Sequence, residues 1–418
     1  MKQQRQKVQN VAVIAGEFPV ASQTFVVNHV ASATRRGLGV TVFSRSVPDW
    51  SAKMGVIEEC GLRDHTVCLA YKGSRLRNAV SMLSSTIRAI GKSGETTAHD
   101  SLRSRASIIR QRRIVEARGT FDVVHAHFGV HGMFAVELQE AGLDIPVITT
   151  FHGFDVTTLT PEEGRAKYRR LFERGAAFTF NSRFTRSKLV AMGCPEEKLV
   201  HWRMAIDLDR FPFRERQVTE VRPTRLITVA RLAPGKGIDV IIKAVSMLNA
   251  TRDVELVVVG GGSAEMVGQL ELCAAQLGLR DRVHLVGVQT PEEVVDHLAS
   301  ADLFILASRT DPQGSQEAQG VVLQEAQASG LPVIASDIGG IAEGVLDGES
   351  AVLVPPDSPE ELAHAIEYLL ERPEQWRQMG RAGRAFVEQH YSHQKNTDQI
   401  LEVYRRVVHG ESLSDDDS

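Results

Sequence analysis

Twelve short apolar runs, rich in β-branched residues, recur along this chain of 418 residues and are separated by helix-like stretches. Runs that are apolar at consecutive positions are typical of strands buried on both faces of a parallel sheet. Helical patterns between such strands predict βαβ units, so the fold class is α/β. Two sets of six runs favour two doubly wound domains over one large sheet. The predicted strands are 11–16, 40–44, 122–127, 146–151, 176–180, 198–202, 225–230, 254–260, 282–287, 302–307, 332–336 and 351–354.

The break between the two sets lies in a charged segment with two prolines, 211–225, whose composition is that of a linker. Ligands of doubly wound sheets bind beyond the carboxyl ends of the strands. If two such domains face each other, the cleft between them is the expected binding site. The last eight residues, 411–418, are rich in serine and aspartate and are predicted to be a disordered acidic tail.

Charge and composition narrow the class of protein. A net charge of -4 argues against a dedicated nucleic-acid binder. Four cysteines without paired spacing favour reduced thiols. No apolar core of a signal peptide precedes the first strand, and no run reaches about 18 apolar residues. We therefore expect a cytoplasmic protein, with the inner face of the membrane as a second location.

The inner membrane face is expected as a second location because segment 71–118 holds eleven basic residues and only three acidic ones. Apolar residues recur in it at helical spacing, which predicts one apolar stripe along a helix. One interpretation is an ordinary surface helix with a solvated basic face. The other is a helix that lies on an anionic membrane surface. The stripe consists of Leu76, Val80, Leu83, Ile87 and Ile90.

The stretch "EAQGVVLQE" sets two carboxylates, Glu317 and Glu325, on either side of an apolar run. Turn-rich sequence precedes it, and Gly330 and Pro332 end the helix that contains Glu325. This predicts a strand–loop–helix unit whose helix N-terminus, a natural anion site, opens at the cleft. Carboxylates beside that end can accept hydrogen bonds from sugar hydroxyls. A nucleotide sugar, with a hexose and a ribose flanking a diphosphate, has the matching layout.

Other loops after predicted strands carry groups suited to a diphosphate. "VARLAPGKG" (229–237) supplies Arg231 and Lys236 before a helix that starts near Ile238. Taken alone, these two side chains are equally well read as surface charges. "VVVGGGSAE" (257–265) resembles a dinucleotide fingerprint, but Glu265 stands where the third glycine belongs, so the signal is weak. "SDIGGIAEG" (336–344) places two glycines where the backbone could approach a ligand closely.

Together these stretches resemble a known family, the retaining glycosyltransferases of family 4. The second half does so through "RLAPGKG", "GSQEAQGVVLQEAQASGLPVIASDIGGIAEGV" and "AVLVPPDSPEELAHAI". In the first half, "EFPVASQTFVVNHV", "VVHAHFG" and "TTFHGFDVT" are similar to members that build bacterial exopolysaccharides of the colanic-acid type. The likeness covers nearly the whole chain in order. One departure is Gln23, where many relatives carry glutamate.

The resemblance implies a GT-B fold, in which two Rossmann-like domains face each other and the last helix crosses back to the first. It also implies a nucleotide-diphosphate sugar as donor and a glycan or lipid-linked glycan as acceptor. No metal and no other cofactor is expected. The implied domains are 1–212 on the acceptor side, 213–390 for the donor, a crossover helix in 391–410 and the tail 411–418.

The resemblance also implies roles for individual residues. Glu317 contacts the donor sugar, and Glu325 contacts the ribose. Arg231 and Lys236 stabilise the leaving diphosphate, while His152 in "FHGFD" lies beneath the reacting sugar. The remaining expected donor-site residues are Gly16, which lets an N-terminal loop close, and Val288, Gly320 and Val321.

Three rival functions stay open on the residues themselves. A nucleotide-sugar epimerase shares the fold, and a sugar-nucleotide sensor would bind donor without turning it over. A metal hydrolase would use His125 and His127, which share one face of a predicted strand. The "DLD" at Asp207–Asp209 resembles a metal motif but lies at the domain junction, where a turn is expected. The favoured reading is a metal-free hexosyltransferase in exopolysaccharide biosynthesis, since Arg231, Lys236 and a helix end supply the positive charge.

Overall fold

The structure is a computed structural model, and it describes residues 7–20, 23–48, 50, 55–70, 98–216, 223–248 and 252–413, with side chains from residue 105 onward in the helix that starts at Ala98. Its elements alternate between strands and helices along the chain, as the apolar runs predict. The helices are α1 Thr24–Arg35, α2 Gly55–Glu59, α3 Ala98–Glu116, α4 Gly129–Glu140, α5 Phe154–Thr157, α6 Pro161–Arg174, α7 Arg183–Ala191, α8 Ile238–Leu248, α9 Ala264–Gln276, α10 Pro291–Ser300, α11 Val321–Ala328, α12 Pro359–Leu370, α13 Pro373–His390 and α14 His393–His409.

The first sheet has seven strands in the order β3-β2-β1-β4-β5-β6-β7. Its central pairs are parallel, with β1 between β2 and β4. The strands are β1 Asn10–Ala15, β2 Gly39–Ser44, β3 Thr66–Cys68, β4 Val123–His127, β5 Val147–Phe151, β6 Ala177–Phe180 and β7 Leu199–His201. This is the order of a doubly wound sheet, which reverses direction between β1 and β4.

The second sheet repeats this arrangement with six parallel strands in the order β10-β9-β8-β11-β12-β13. The order reverses between β8 and β11, so the loops that follow these two strands diverge and leave a crevice. The strands are β8 Thr224–Val229, β9 Val254–Val259, β10 Val283–Gly287, β11 Leu303–Leu306, β12 Val333–Ser336 and β13 Ala351–Val354.

Burial on both faces explains why the strands are apolar at consecutive positions. In β11, Leu303 and Ile305 pack into one core cluster, while Phe304 and Leu306 pack into the cluster on the other face. All four side chains are fully buried. Helix α8 covers the first of these faces with an almost continuous apolar surface, which includes Ile241 and Val245.

The twelve strands predicted from the sequence are confirmed to within one residue at either end. The sequence analysis missed β3, which has three residues and lies at the edge of its sheet. The expected turn at Asp207–Asp209 is also present, as a 3-10 helix over Leu208–Arg210 that the Asp207 side chain caps.

By the density of its contacts the chain divides into two compact units. One comprises Met1–Thr150, Lys167–Phe178 and Leu401–Ser418, and the other comprises Phe151–Ala166 and Thr179–Ile400. Helix α14 forms where the last helix is predicted, and its final turns group with the first unit. The domain boundaries given above stay predictions. Residues 414–418 of the acidic tail lie outside the described residues.

A buried chain of hydrogen bonds connects the end of α14 to the first sheet. The Tyr404 hydroxyl lies 2.8 Å from His29 Nε2 and 2.6 Å from His125 Nδ1. His29 Nδ1 in turn lies 2.9 Å from His127 Nε2, and His125 Nε2 lies 2.6 Å from the Thr150 hydroxyl. Tyr404, His125, His127 and Thr150 are fully buried, and His29 is nearly so.

If all the histidine rings are neutral, every hydrogen bond of this chain can form with the donors arranged in one direction. The Thr150 hydroxyl donates to His125, which donates through Nδ1–H to Tyr404. The Tyr404 hydroxyl donates to His29, whose Nδ1–H donates to His127. The fully reversed set of donors is equally complete, because each neutral imidazole has one donor and one acceptor. Burial lowers the pKa of His29 to about 3, which keeps its ring neutral.

We expect Tyr404→Phe to destabilise the protein by about 1–3 kcal/mol, because it leaves two buried imidazole nitrogens without their shared partner. Urea unfolding measures the loss. Tyr368→Phe is the matched control, since that hydroxyl is on an exposed side chain with one long hydrogen bond of 3.4 Å. Its effect should stay within about 0.5 kcal/mol. Equal stability of the two variants would contradict a structural role for the Tyr404 hydroxyl.

Candidate functional site

The predicted phosphate- and sugar-binding residues gather at the crevice of the second sheet. Arg231 follows β8, and Lys236 ends a 3-10 turn at Pro234–Lys236. Glu317 lies in the loop that follows β11, just before α11. Because β8 and β11 are the adjacent parallel strands at the switch point, the loops that follow them border the crevice from its two sides.

The structure joins two of these residues directly. The Lys236 ammonium donates to Glu317 Oε2 in an ion pair. Both side chains are partly buried, with 25% and 19% of their surfaces exposed. The sequence analysis gave these residues separate contacts to a ligand. The structure shows that they also contact each other.

Arg309, which the sequence analysis missed, holds the loop that carries Lys236. Its backbone N–H donates to Gly235 O at 2.9 Å, and its Nε donates to Pro234 O at 2.9 Å. The same guanidinium donates to Asp239 at 2.9 Å and to Asp357 at 2.6 Å. A basic residue directly after a buried strand was the available sequence signal. Arg309 therefore fixes the 3-10 turn against the end of β11.

Glycines bring the backbones of the site into close contact. Gly237 has a φ of 61°, and a Cβ there would overlap the carbonyl oxygen of Ala307. Gly339, also at φ 61°, lies in the same way against the carbonyl oxygen of Glu317. Gly340 N donates to that oxygen at 2.9 Å. The sequence predicts that the two glycines of "SDIGGIAEG" let the backbone approach a ligand closely. In the structure they let it approach the backbone of Glu317.

Helix α11 begins at Val321, shortly after Glu317, and its N-terminus lies at the carboxyl end of the sheet. Gly320 is the N-cap, in the left-handed conformation at φ 70°, and Val321 is the first helical residue. The first N–H groups of a helix lack intrahelical partners and carry positive partial charge. Gly320 and Val321 thus stand where the sequence analysis expected an anion site.

Three buried glutamines, also missed, fix the position of this helix. The Gln319 side-chain amide accepts from Met204 N at 2.8 Å and donates to Met204 O at 2.9 Å. Gln327 Nε2 donates to Gly344 O at 2.8 Å. Gln324 lies between them, where its amide oxygen accepts from Gln319. Their spacing in the sequence carries no signal, because a surface helix would show equally frequent glutamines.

His152 lies in a tight turn against the Glu317 loop. Asp155 Oδ1 accepts from the N–H groups of His152 and Gly153 at 3.1 and 3.0 Å. Gly153 has a φ of 119° and packs against the methyl group of Ala318. A hydrogen bond of 3.1 Å joins the Thr157 and Ser315 hydroxyls across the two loops. The turn that carries His152 therefore packs on the Glu317 loop within this unit.

The remaining predicted residues occupy more open positions. Arg231 is exposed, and its guanidinium makes no hydrogen bond or ion pair with the described residues. Val288 is 77% exposed and overlies Gly261, where a Cβ would meet its side chain at 2.5 Å. Gly16 follows β1 in the first unit, where a Cβ would come within 2.6 Å of His131 Nε2.

Glu325 lies in the second turn of α11. No hydrogen bond or ion pair reaches its oxygens from the described residues, and its side chain is half-buried. Burial raises its pKa from 4.5 to about 7, with a smaller opposing effect from Arg210. The protein thus holds a desolvated acceptor that gains stability from any donor placed against it.

This pKa shift makes the folded state lose stability as pH rises from 4.5 to 7. In that window the native protein binds more protons than the unfolded chain, so the free energy of unfolding falls with pH. We expect Glu325→Gln to be more stable than the parent at pH 8, by about 1–3 kcal/mol, and equal to it near pH 4. Urea unfolding at the two pH values measures the difference.

The control is Glu293→Gln, for which we expect a change in stability at pH 8 of the opposite sign. Glu293 accepts a hydrogen bond from Thr290 N in a capping box, and this lowers its pKa. Its contribution to stability is present at pH 8 and is lost on acidification, so the variant should be less stable at pH 8. A Glu325→Gln variant that is also destabilised at pH 8 would contradict the desolvated carboxylate.

The histidine pair proposed for a metal hydrolase is engaged elsewhere. His125 and His127 stack with their ring centroids 4.8 Å apart, inside the hydrogen-bonded chain with Tyr404. Among the described residues no group of three or more His, Cys, Asp and Glu side chains is arranged around a metal position. In the same part of the chain, no helix combines the length and the apolarity that spanning a membrane requires.

Comparison with known proteins shows which family the chain resembles. The family described as "Glycosyltransferase Family 4" matches residues 22–210, and "Glycosyl transferases group 1" matches residues 209–386. The amylovoran biosynthesis glycosyltransferase AmsK of Erwinia amylovora is 31% identical over 402 residues, which are 94% of this chain and 98% of AmsK. WcaL of Salmonella typhimurium, a glycosyltransferase named for colanic acid biosynthesis, is 31% identical over 83% of this chain and 87% of its own.

A solved structure supports the fold. Anabaena Alr3699/HepE, crystallised with UDP and glucose, superposes with a TM-score of 0.72 at 17% identity and covers 95% of this chain and 99% of its own. Two parallel doubly wound sheets and this likeness establish the GT-B fold class. Together with the extent of the match to AmsK, they lead to one identification: the chain belongs to glycosyltransferase family 4 and is a glycosyltransferase.

Proposed function

We propose that the protein moves a hexose from a nucleotide-diphosphate sugar to a glycan or lipid-linked glycan, with retention, in the synthesis of an exopolysaccharide or cell-surface polysaccharide. The observation that carries this proposal is the meeting of Lys236, Glu317 and the α11 N-terminus at the switch point of the second sheet. The names of AmsK and WcaL support the polymer class, and HepE with UDP and glucose supports the donor class.

Each part of the donor has a matching group in this unit. Lys236, Arg231 and the first N–H groups of α11 would bind the diphosphate. Glu325, whose carboxylate is desolvated and has no polar partner among the described residues, would accept from the ribose hydroxyls. Glu317 and His152 would contact the hexose, since the turn of His152 packs on the Glu317 loop. The exposed Val288 and the glycine turn that it overlies would form the surface against which the base lies.

The chemistry needs charge stabilisation more than an acid or a base. The bond between the anomeric carbon and the phosphate oxygen breaks, and its electron pair stays on the phosphate. The acceptor oxygen bonds to the same face of that carbon, and its proton passes to the departing phosphate. Fixed positive groups aimed at the leaving diphosphate lower the barrier because they require no reorganisation. Lys236 and Arg231 would supply this charge without a metal.

The test begins with a thermal-shift screen of UDP-, GDP-, ADP- and dTDP-sugars, because a bound donor raises the melting temperature by mass action. With the best donor, we expect Lys236→Ala and Arg231→Ala to lower kcat by about 10²–10³ while binding of the bare nucleoside changes little. Transfer should persist in EDTA.

Lys395→Ala serves as the control for loss of a positive charge, since that lysine is exposed and lies on α14. Its kcat should equal that of the parent. Loss of transfer in EDTA with recovery on adding a divalent metal would overturn the metal-free mechanism. Hydrolysis or epimerisation of the donor without transfer would instead favour a different reaction on the same fold.

We also propose a cytoplasmic location with peripheral binding to the inner membrane face, where lipid-linked acceptors are found. The described part of the basic segment is α3, on which Arg105, Arg110 and Arg113 are exposed. Arg112 is committed to the fold, because its Nη1 donates to Ala141 O at 2.6 Å. The predicted apolar stripe, 76–90, lies outside the described residues.

Salt-sensitive binding to anionic vesicles is therefore expected, since each base near such a surface contributes about 1 kcal/mol. Co-sedimentation with phosphatidylglycerol and with phosphatidylcholine vesicles measures it. Charge reversal of Arg110 and Arg113 should reduce binding, whereas reversal of the exposed Arg280 and Lys395 should not. Equal binding to both vesicle types, or to neither, would mean that α3 is only a solvated basic surface.

A further inference from the structure

Because Lys236 and Glu317 form an ion pair, the ligand contact proposed for each of them competes with that pair. Their backbones are held in place: Arg309 and Gly237 fix the Lys236 loop, while Gly339 and Gly340 fix Glu317. The side chains are partly buried, so solvent screens their attraction less than it would at the surface. Any ligand that takes the Lys236 ammonium therefore has to leave the Glu317 carboxylate with a compensating partner.

A sugar nucleotide and a bare nucleoside diphosphate differ in this respect. Both bring phosphates to Lys236, which must then share or give up its bond to Glu317. The sugar nucleotide also brings hexose hydroxyls, which donate to the carboxylate in place of the ammonium. The bare nucleotide brings no such donor. The Glu317 carboxylate then faces a phosphate, and the two anions have to share the Lys236 ammonium. An uncompensated, partly buried anion is costly.

We propose that Glu317, through its ion pair with Lys236, determines specificity for the sugar-bearing donor over the sugar-free nucleoside diphosphate. This inference rests on the proposed function. It assigns Glu317 an effect on the nucleotide product as well as a contact to the hexose. Once the hexose has left, the carboxylate regains the Lys236 ammonium, and the diphosphate is bound less tightly.

The measurement is the Kd of UDP and of GDP, and of their glucose and mannose conjugates, by calorimetry on the full chain. We expect Glu317→Gln to bind the cognate bare diphosphate about tenfold more tightly, which corresponds to about 1.4 kcal/mol. Its affinity for the sugar conjugate should fall or stay the same. The ratio of the two Kd values, which measures discrimination, should therefore collapse by at least about tenfold.

A double-mutant cycle shows whether Lys236 transmits the effect. In a Lys236→Met background the tightening caused by Glu317→Gln should disappear, because no ammonium remains to be released. The matched control is Glu255→Gln. The Glu255 side chain is also 19% exposed, and it forms an ion pair with Arg225 at 2.6 Å. This pair lies near the start of β8 and β9, at the opposite end of these strands from the loops that follow them. This variant should leave every Kd unchanged.

The outcomes separate this inference from the proposed function. If the parent binds no nucleoside diphosphate and no sugar nucleotide, both fall. If the parent binds and transfers, but Glu317→Gln leaves the affinity for the bare diphosphate equal or weaker, the inference alone is overturned. The same holds if the tightening persists with Lys236→Met, since removal of a negative charge would then explain it without the pair. Circular dichroism confirms that each variant is folded.

Discussion

The reversal of strand order between β8 and β11 is the constraint on which the candidate site depends. Loops on either side of a switch point leave the sheet toward opposite faces, and the crevice between them is open to a ligand. Here it receives Lys236 from one loop and Glu317 from the other, beside the N-terminus of α11. A lysine and a glutamate 81 positions apart thereby become one ion pair.

The site combines a rigid backbone with side chains that can change partners. Arg309, the glutamines of α11 and close glycine contacts hold the loops, so binding a ligand requires little ordering of the backbone. The Lys236 ammonium, by contrast, ends a flexible stem, and Glu325 is desolvated with no polar partner among the described residues. Desolvation of this kind lowers stability at the place where a ligand could recover it.

Sequence reasoning located most of this site because its signals are local. Glycines and charges directly after apolar runs mark loops at the carboxyl ends of strands, and Arg231 and Lys236 were found in that way. Glu317 and Glu325 were found as two carboxylates on either side of a short apolar run. Resemblance to a family, and not spacing, supplied His152 and Val288. Arg309 and Gln319 were missed because their roles depend on partners 75 and 115 residues away.

The sequence alone determined the α/β class, twelve of the strands and the family, since the period of apolar residues and the glycine-rich loops are properties of short stretches. Only the tertiary structure decided which loops meet. It paired Lys236 with Glu317, placed Glu325 where burial raises its pKa, and committed His125 and His127 to a hydrogen-bonded chain with Tyr404. Those outcomes depend on distance and desolvation, which arise when remote segments pack together and which no local pattern encodes.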